Sequence, residues 1–477
     1  MTPSVAPAPL AEAPPPTDRE GYAALDETGF VTPEAAPFST FSIDVDTASY
    51  AISRRKLESG QMPDHASVRV EEFINALPYD YSTPVDDAPF AVHMEAAPHP
   101  FEDGHHILRV GIKGMEIDAD ERRPVHLTFL VDTSGSMQSP DKMGLVKQSL
   151  HYLVGQLEEG DTVALATYAG SVRRILGPTA VERNNRIHRA IDNLTASGST
   201  AMNSGIQLAY DMAWDSFEGG EENRVIVLSD GDANVGPSSH TEILSTIRDY
   251  SNRGITLSTI GFGMGNYQDT MMEQLANQGD GNYYYIDRYE EARKVFGERL
   301  SGTLQTIARD VKIQVEFNPE SVLSYRLIGY ENRDIADRDF RNDRVDAGEI
   351  GVGHTVTALY DVVLAEEASS ELATVRLHNK VPGADRPAVE WSTAFTGRFL
   401  HKRFSQASDN FKMAFCAGTF AELLRNSPYV AEIDYADLAN LLETSMRSRV
   451  EEDTELLGLV EIADRLSGSR GPVAQDW

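Results

Sequence analysis

Three stretches of the chain carry side chains whose types and spacing could do chemistry. "FLVDTSGSM", residues 129–137, runs from an apolar segment into Asp132 and the hydroxyls of Thr133, Ser134 and Ser136; "SGSTAMNSGI" contains Thr200 and "VLSDGDAN" contains Asp230. Two chemistries compete for them. A nucleophilic serine needs a Gly-x-Ser-x-Gly elbow with a histidine and an acid close by. Neither Ser134 nor Ser136 is flanked that way, and His99, His105 and His106 fall in an earlier strand pair, where they read as solvated loop residues and match no standard metal site. The other chemistry is a cup for a hard cation. Donors that are all oxygen, with no cysteine or histidine beside them, select Mg²⁺, Mn²⁺ or Ca²⁺ over zinc or copper. Alternate positions 132, 134 and 136 converge if the loop curls, and Gly135 permits such a curl. Neutral hydroxyls leave the ion electron-poor, so the cup is suited to a carboxylate brought by another molecule.

The elements that must hold these loops are legible between residues 124 and 306. Strands read as "VHLTFLVD", "TVALATYAG", "SVRRILGP", "RVIVLSD", "ITLSTIGFG" and "NYYYID", and helices are expected near 142–157, 183–194, 202–215, 239–252, 269–278 and 290–306. Near-continuous apolar strands are those covered on both faces by helices. Strand and helix in alternation predict an open, mostly parallel, doubly wound α/β sheet. In such sheets ligands bind beyond the carboxyl ends of strands where strand order reverses, and Asp132 and Asp230 each end a strand. "GFGMGN" at 261–266 is a poor dinucleotide fingerprint, because Asn266 stands where the third glycine belongs and the strand before it is the fifth of the unit. "DVDTAS" at 44–49 lacks the threonine of phosphoryl-transferring aspartate enzymes, since Ala48 takes that place, and reads as a structural turn.

Asp132, Ser134, Ser136, Thr200 and Asp230 fill, in order, the Asp-x-Ser-x-Ser, Thr, Asp pattern of a metal-ion-dependent adhesion site, so the segment resembles the von Willebrand factor A domain. The resemblance implies a Rossmann-like fold, a bound divalent cation touched directly or through water by the serines and threonine, and aspartates acting largely through water. A second resemblance rests on "TFSIDVDTASYAISRRKLESGQMPDHASVRVEEFINALPYDY", which is similar to the amino-terminal domain of bacterial YfbK-like proteins. It implies an A domain followed by a strand and helix region, in a protein that is exported or lipid-anchored.

The rest of the 477 residues exceeds what one core serves, so several packing units are expected. Residues 1–37 hold eight prolines and eight alanines without apolar period, which predicts a disordered tether. Residues 38–123 form an N-terminal region of strands and helices, 124–306 the α/β unit, 307–408 a β-rich region and 409–477 a helical one. Strands both before Pro124 and after Ile307 suggest one β-sandwich that contains or flanks the α/β unit. Movement of the helix ending near Gln305 would then reach the sandwich. A net charge of -32 argues against nucleic acid and anionic membranes as partners. Cys416 is the only cysteine, which excludes an internal disulfide. No apolar run is long enough to span a bilayer, and the tether leads us to expect a signal or lipid-anchoring segment upstream of Met1. The function expected is divalent-cation-dependent protein binding in the cell envelope, without enzymatic turnover, through a partner's Asp or Glu. The alternative is a subunit of an assembly or chaperone-like machine working with an AAA ATPase or an envelope complex.

Overall fold

The computed structural model describes residues 22, 26–85, 88–117, 121–198, 202–231, 237–263, 269–298, 305–366, 371–382 and 387–468. The chain opens with β1 (Phe38–Ser42), α1 (Ala48–Glu58), α2 (Val70–Ala76), β2 (Phe90–Pro98) and β3 (His105–Gly114). The α/β unit follows as β4 (Val125–Asp132), α3 (Leu145–Val154), β5 (Thr162–Tyr168), β6 (Arg173–Ala180), α4 (Asn184–Asp192), α5 (Met202–Trp214), β7 (Glu222–Ser229), α6 (Pro237–Ser251), β8 (Ile255–Phe262), α7 (Asp269–Gln278), β9 (Tyr283–Ile286) and α8 (Tyr289–Arg293). Then come β10 (Thr306–Phe317), β11 (Val322–Ile328), β12 (Ile350–Gly351), β13 (Thr355–Leu364), β14 (Glu371–Lys380) and β15 (Val389–Thr396). The helices α9 (Asp409–Leu424), α10 (Tyr435–Ser445) and α11 (Glu451–Gly468) close the described chain.

The α/β sheet runs β6-β5-β4-β7-β8-β9, parallel except where β6 meets β5 antiparallel. All eight residues of β4 are buried, because helices cover both faces of the sheet. Leu127, Phe129 and Val131 pack with Val146 and Leu150 of α3 and Ile187 of α4 on one side. Leu130, between them in the pleat, packs with Ile206 and Tyr210 of α5 and Ile243 of α6 on the other. Strand order turns back at β4, which has β5 on one side and β7 on the other. Two differences from the expected helices matter. The helix expected from 142 starts as a π-helical turn, Pro140–Gly144, and becomes α-helical at Leu145. The helix expected over 290–306 is replaced at its far end by β10, which contains Thr306.

Strands from either side of the α/β unit share sheets. β13 pairs with β3 from Thr355↔Lys113 to Val363↔His105, giving the order β11-β13-β3-β2. β1 pairs with β10 in the second sheet, β1-β10-β14-β15, with β12 also on β10. Phe41, Val110, Ile112, Val315, Phe317 and Tyr360 from both sheets lie in one apolar core, as in a β-sandwich. Residues 26–37, expected to belong to a free tether, begin this docking: Val31 bridges Tyr325, and Phe30 packs edge-on against His105 and Tyr429. Residues 1–21 and 23–25 lie outside the described residues.

The helical region that the sequence places at 409–477 is not separate from the beginning of the chain. Phe73 and Ile74 of α2 share a core with Phe411, Phe415 and Phe420 of α9, Leu438 of α10 and Leu456 of α11. Cys416 lies within it, fully buried, which pushes its thiol well above the ordinary range and leaves it inert. Helix α1 is the bridge: Ala48, Ala51 and Ile52 pack on Met272 and Ala276 of α7 and on Tyr283 and Tyr285 of β9. Around it, Arg54 pairs with Asp287 at 2.5 Å, Glu291 at 3.0 Å and Glu455 at 3.1 Å. Arg69 pairs with Asp269 at 2.6 Å and also with Glu72. Asp44 and Asp46, in the turn read from "DVDTAS", hold Arg333 at 3.2 and 3.1 Å.

Acids outnumber bases in this interface, and among the described residues no ion pair is made by Glu71. Glu71 is fully buried; its Oε2 accepts the Tyr330 N–H at 2.9 Å, whereas its Oε1 has no hydrogen-bond partner among the described residues. Burial, reinforced by the carboxylates of Glu331 and Asp44, pushes its pKa up to about 7. The folded state therefore keeps a proton that the unfolded chain releases near the ordinary value of about 4.3. Stability from this group is complete below that value and is lost as pH rises through about 7. We predict that chemical unfolding between about pH 5 and pH 8 shows falling stability, by roughly 3 kcal/mol at most from this residue, and that Glu71→Gln flattens the fall. An unchanged slope in the variant would show that Glu71 is not its source.

Candidate metal centre

The sheet brings Asp132, Ser134, Ser136 and Asp230 to one edge, at the point where strand order turns back. Asp132 is the last residue of β4, and Asp230 follows β7, the strand hydrogen-bonded to it. Both carboxylates are buried, at 0% and 3% exposure. The loop after β4 curls as its spacing requires. Asp132 Oδ1 accepts the Ser134 N–H at 2.8 Å, and the Ser134 and Ser136 hydroxyls lie 2.8 Å apart. A 3₁₀ turn, Gly135–Gln138, and the π-helical turn then lead into α3.

A second loop braces the first. The Gly135 N–H donates to the Gly198 carbonyl at 3.0 Å, and the Ser197 N–H donates to the Thr133 carbonyl at 2.6 Å. Gly198 has φ +98, and a Cβ there would lie 3.1 Å from the Gly170 nitrogen, so only glycine fits. Thr200 lies outside the described residues. Its loop is described up to Gly198 and again from Met202, where α5 starts.

Two further residues of the site escaped the sequence reading. The Ser229 hydroxyl donates to Asp132 Oδ2 at 3.0 Å and accepts the Gly231 N–H at 3.0 Å, fixing both strand ends. Lys142 Nζ donates to Asp230 Oδ2 at 2.9 Å from the π-helical turn. Ser229 had a local signal, as the residue directly before Asp230. Lys142 had none, because a regular helix starting at 142 does not say which way that side chain turns. Burial pushes Asp132 above the usual carboxylate range against the hydrogen bonds from Ser134 and Ser229, and the neighbouring Asp230 adds to the rise. A cation near both carboxylates would relieve that strain.

The donor set fits a hard cation. Two hydroxyls sit side by side, two carboxylates back them, and no histidine nitrogen or cysteine sulfur stands among the contacts described for them. The histidines read as solvated residues have other roles. His99 Nδ1 accepts the N–H groups of Phe101 and Glu102 and its ring packs edge-on against Phe415; burial lowers its pKa to about 4. His105 Nδ1 lies 2.8 Å from Asp361 Oδ1 and 3.6 Å from Glu102 Oε2, beside these two carboxylates at the start of β3. His105 opens β3, which sits between β2 and β13, and His99 lies in the turn that joins β2 to β3. Of "GFGMGN", Gly261 and Phe262 end β8, and 264–268 lie outside the described residues.

Comparison with known proteins matches this architecture. A family model described as von Willebrand factor type A domain covers residues 126–298, and one described as von Willebrand factor covers 16–109. A third, described as Uncharacterized protein YfbK, C-terminal, covers 302–393 and 364–466. The chain is 36% identical over 459 residues to the Escherichia coli (strain K12) protein described as Uncharacterized protein YfbK, spanning 90% of this chain and 78% of that protein. The chain belongs to the YfbK family. The YfbK-family chain is also 26% identical over 213 residues to human inter-alpha-trypsin inhibitor heavy chain H3, of which it spans 23%. Among solved structures, a von Willebrand factor type A protein from Catenulispora acidiphila aligns over 80% of this chain and 96% of its own, at 16% identity and a TM-score of 0.46. Type A domains commonly bind a divalent metal.

The wall behind the cup is tightly packed. A Cβ on Gly205 of α5 would lie 2.8 Å from the Tyr168 Cβ on β5. We predict that Gly205→Ala forces α5 off the sheet and lowers stability in urea unfolding by about 1–3 kcal/mol. An unchanged midpoint would mean that helix and sheet can separate there without cost.

Proposed function

We propose that this YfbK-family protein is a divalent-cation-dependent protein-binding module. Asp132, Ser134, Ser136 and Asp230, with Thr200 from the pattern, hold Mg²⁺, or Mn²⁺ or Ca²⁺ in its place. The bound cation supplies a Lewis-acidic position for an incoming oxygen ligand. The chain's own residues keep that position available. Ser134 and Ser136 offer neutral hydroxyls, Ser229 holds Asp132 in place, and Gly135, exposed at the rim, leaves the approach open. A partner completes the cup with an Asp or Glu carboxylate.

The observation that carries this reading is the convergence of four oxygen-bearing side chains, from loops 98 residues apart at their ends, on one sheet edge. Binding without turnover is part of the proposal. The hydrogen bonds described for Ser134 and Ser136 join them to Asp132 and to each other, and no histidine is among them to act as base. We place the protein in the cell envelope, exported to the periplasm or lipid-anchored. The Pro/Ala-rich composition of the sequence ahead of the docked residues 26–37 supports that placement. No helix among the described residues is long and apolar enough to cross a membrane.

Calorimetric titration with Mg²⁺ should give a single site in the wild type and none in Asp132→Ala. Affinity capture from envelope extracts should return partners with Mg²⁺ present and lose them with chelator. Equal Mg²⁺ binding by wild type and Asp132→Ala would remove the cup from the proposal.

A further inference from the structure

Lys142 points a cation at a carboxylate of the cup from inside the protein. Its Nζ is 2.9 Å from Asp230 Oδ2, and the two side chains are 12% and 1% exposed. The lysine stem lies against the backbone of Gly263, just after β8: a Cβ on Gly263 would sit 2.2 Å from Lys142 Cε and 2.4 Å from its Cγ. Gly263, at φ +78, therefore leaves a slot that the stem fills. The floor of that slot is held from the N-terminal region. Arg55 of α1 donates to the Gly263 carbonyl at 2.9 Å, and the Tyr285 hydroxyl donates to the same oxygen. The π-helical turn that carries Lys142 displaces it from the register of α3.

An ammonium and a divalent cation on one buried carboxylate repel each other strongly, since the medium screens little there. We propose that Lys142 is the cup's resident counter-cation. It neutralises Asp230 until a divalent cation loads, must withdraw from Asp230 for loading, and so sets the cation concentration at which the cup fills. The inference rests on the reading of the cup as a metal site. Through Arg55 and Gly263, the docking of α1 fixes where the lysine aims.

The test uses the full chain with Mn²⁺, followed by its electron paramagnetic resonance signal. Lys142→Met keeps the stem and removes the charge, and we expect it to bind Mn²⁺ at least about tenfold more tightly than wild type. Equal or weaker binding by Lys142→Met, with Asp132→Ala silent, overturns the role of Lys142 alone. Mn²⁺ binding by Asp132→Ala equal to wild type overturns the cup itself. A measurement on the wild type covers the case in which the variant misfolds. Acylation of Lys142 by an amine-reactive ester, read by mass spectrometry, should rise several-fold in saturating Mg²⁺ over chelator. Unchanged labelling contradicts withdrawal of the lysine.

Discussion

Buried arginine–carboxylate pairs hold the α/β unit to the rest of the molecule, and the geometry of the cup depends on them. Arg54 sits at 1% side-chain exposure among Asp287, Glu291 and Glu455, so it joins α1, the end of the α/β unit and α11 at one point. Arg69 does the same between α2 and Asp269 of α7. Taking such charges out of water is costly, and removing one partner leaves another buried and unpaired, at about 3–5 kcal/mol. These pairs therefore fix orientation more than they add net stability. The consequence for the site is direct: the helix that carries Arg54 also carries Arg55, which holds the Gly263 carbonyl beneath the Lys142 stem.

A second constraint is the sheet's own topology. Because the chain leaves β4 toward α3 on one face of the sheet and leaves the neighbouring β7 toward α6 on the other, a crevice opens at the carboxyl ends of these two strands. Asp132 and Asp230 meet there. Burial, with Asp230 close by, raises the proton affinity of Asp132, and the protein surrounds the two carboxylates with donors from Ser134, Ser229 and Lys142. A divalent cation would do the same work with one ion. The proposed competition between lysine and metal rests on that shared need.

Much of this was legible in the sequence because the signals are local. The apolar run of β4 ends at Asp132, the Asp-x-Ser-x-Ser spacing follows within five residues, and alternation of strand and helix predicts the doubly wound sheet. The sandwich was legible from strand patterns on both sides of the α/β unit. What was not legible depends on partners distant in sequence. Periodicity shows that Phe73 and Phe420 each have a buried face, but not that they face each other, at 6.0 Å between rings. β15 went unread because its first four residues are exposed and show no alternation, as on an edge strand. Lys142 was hidden by the π-helical turn, which no apolar spacing signals. Phe30 and Val31 were hidden by their Pro/Ala-rich neighbours, although two residues suffice to dock a segment.

The central claim, that the ends of β4 and β7 form one cation cup guarded by an internal lysine, is tested most directly by crystals grown with Mn²⁺ and measured at its absorption edge. The account predicts an anomalous peak bounded by the Ser134 and Ser136 hydroxyls and the Asp132 and Asp230 carboxylates, with Lys142 Nζ withdrawn from Asp230. No peak there at saturating Mn²⁺, with Lys142 still bonded to Asp230, would contradict it.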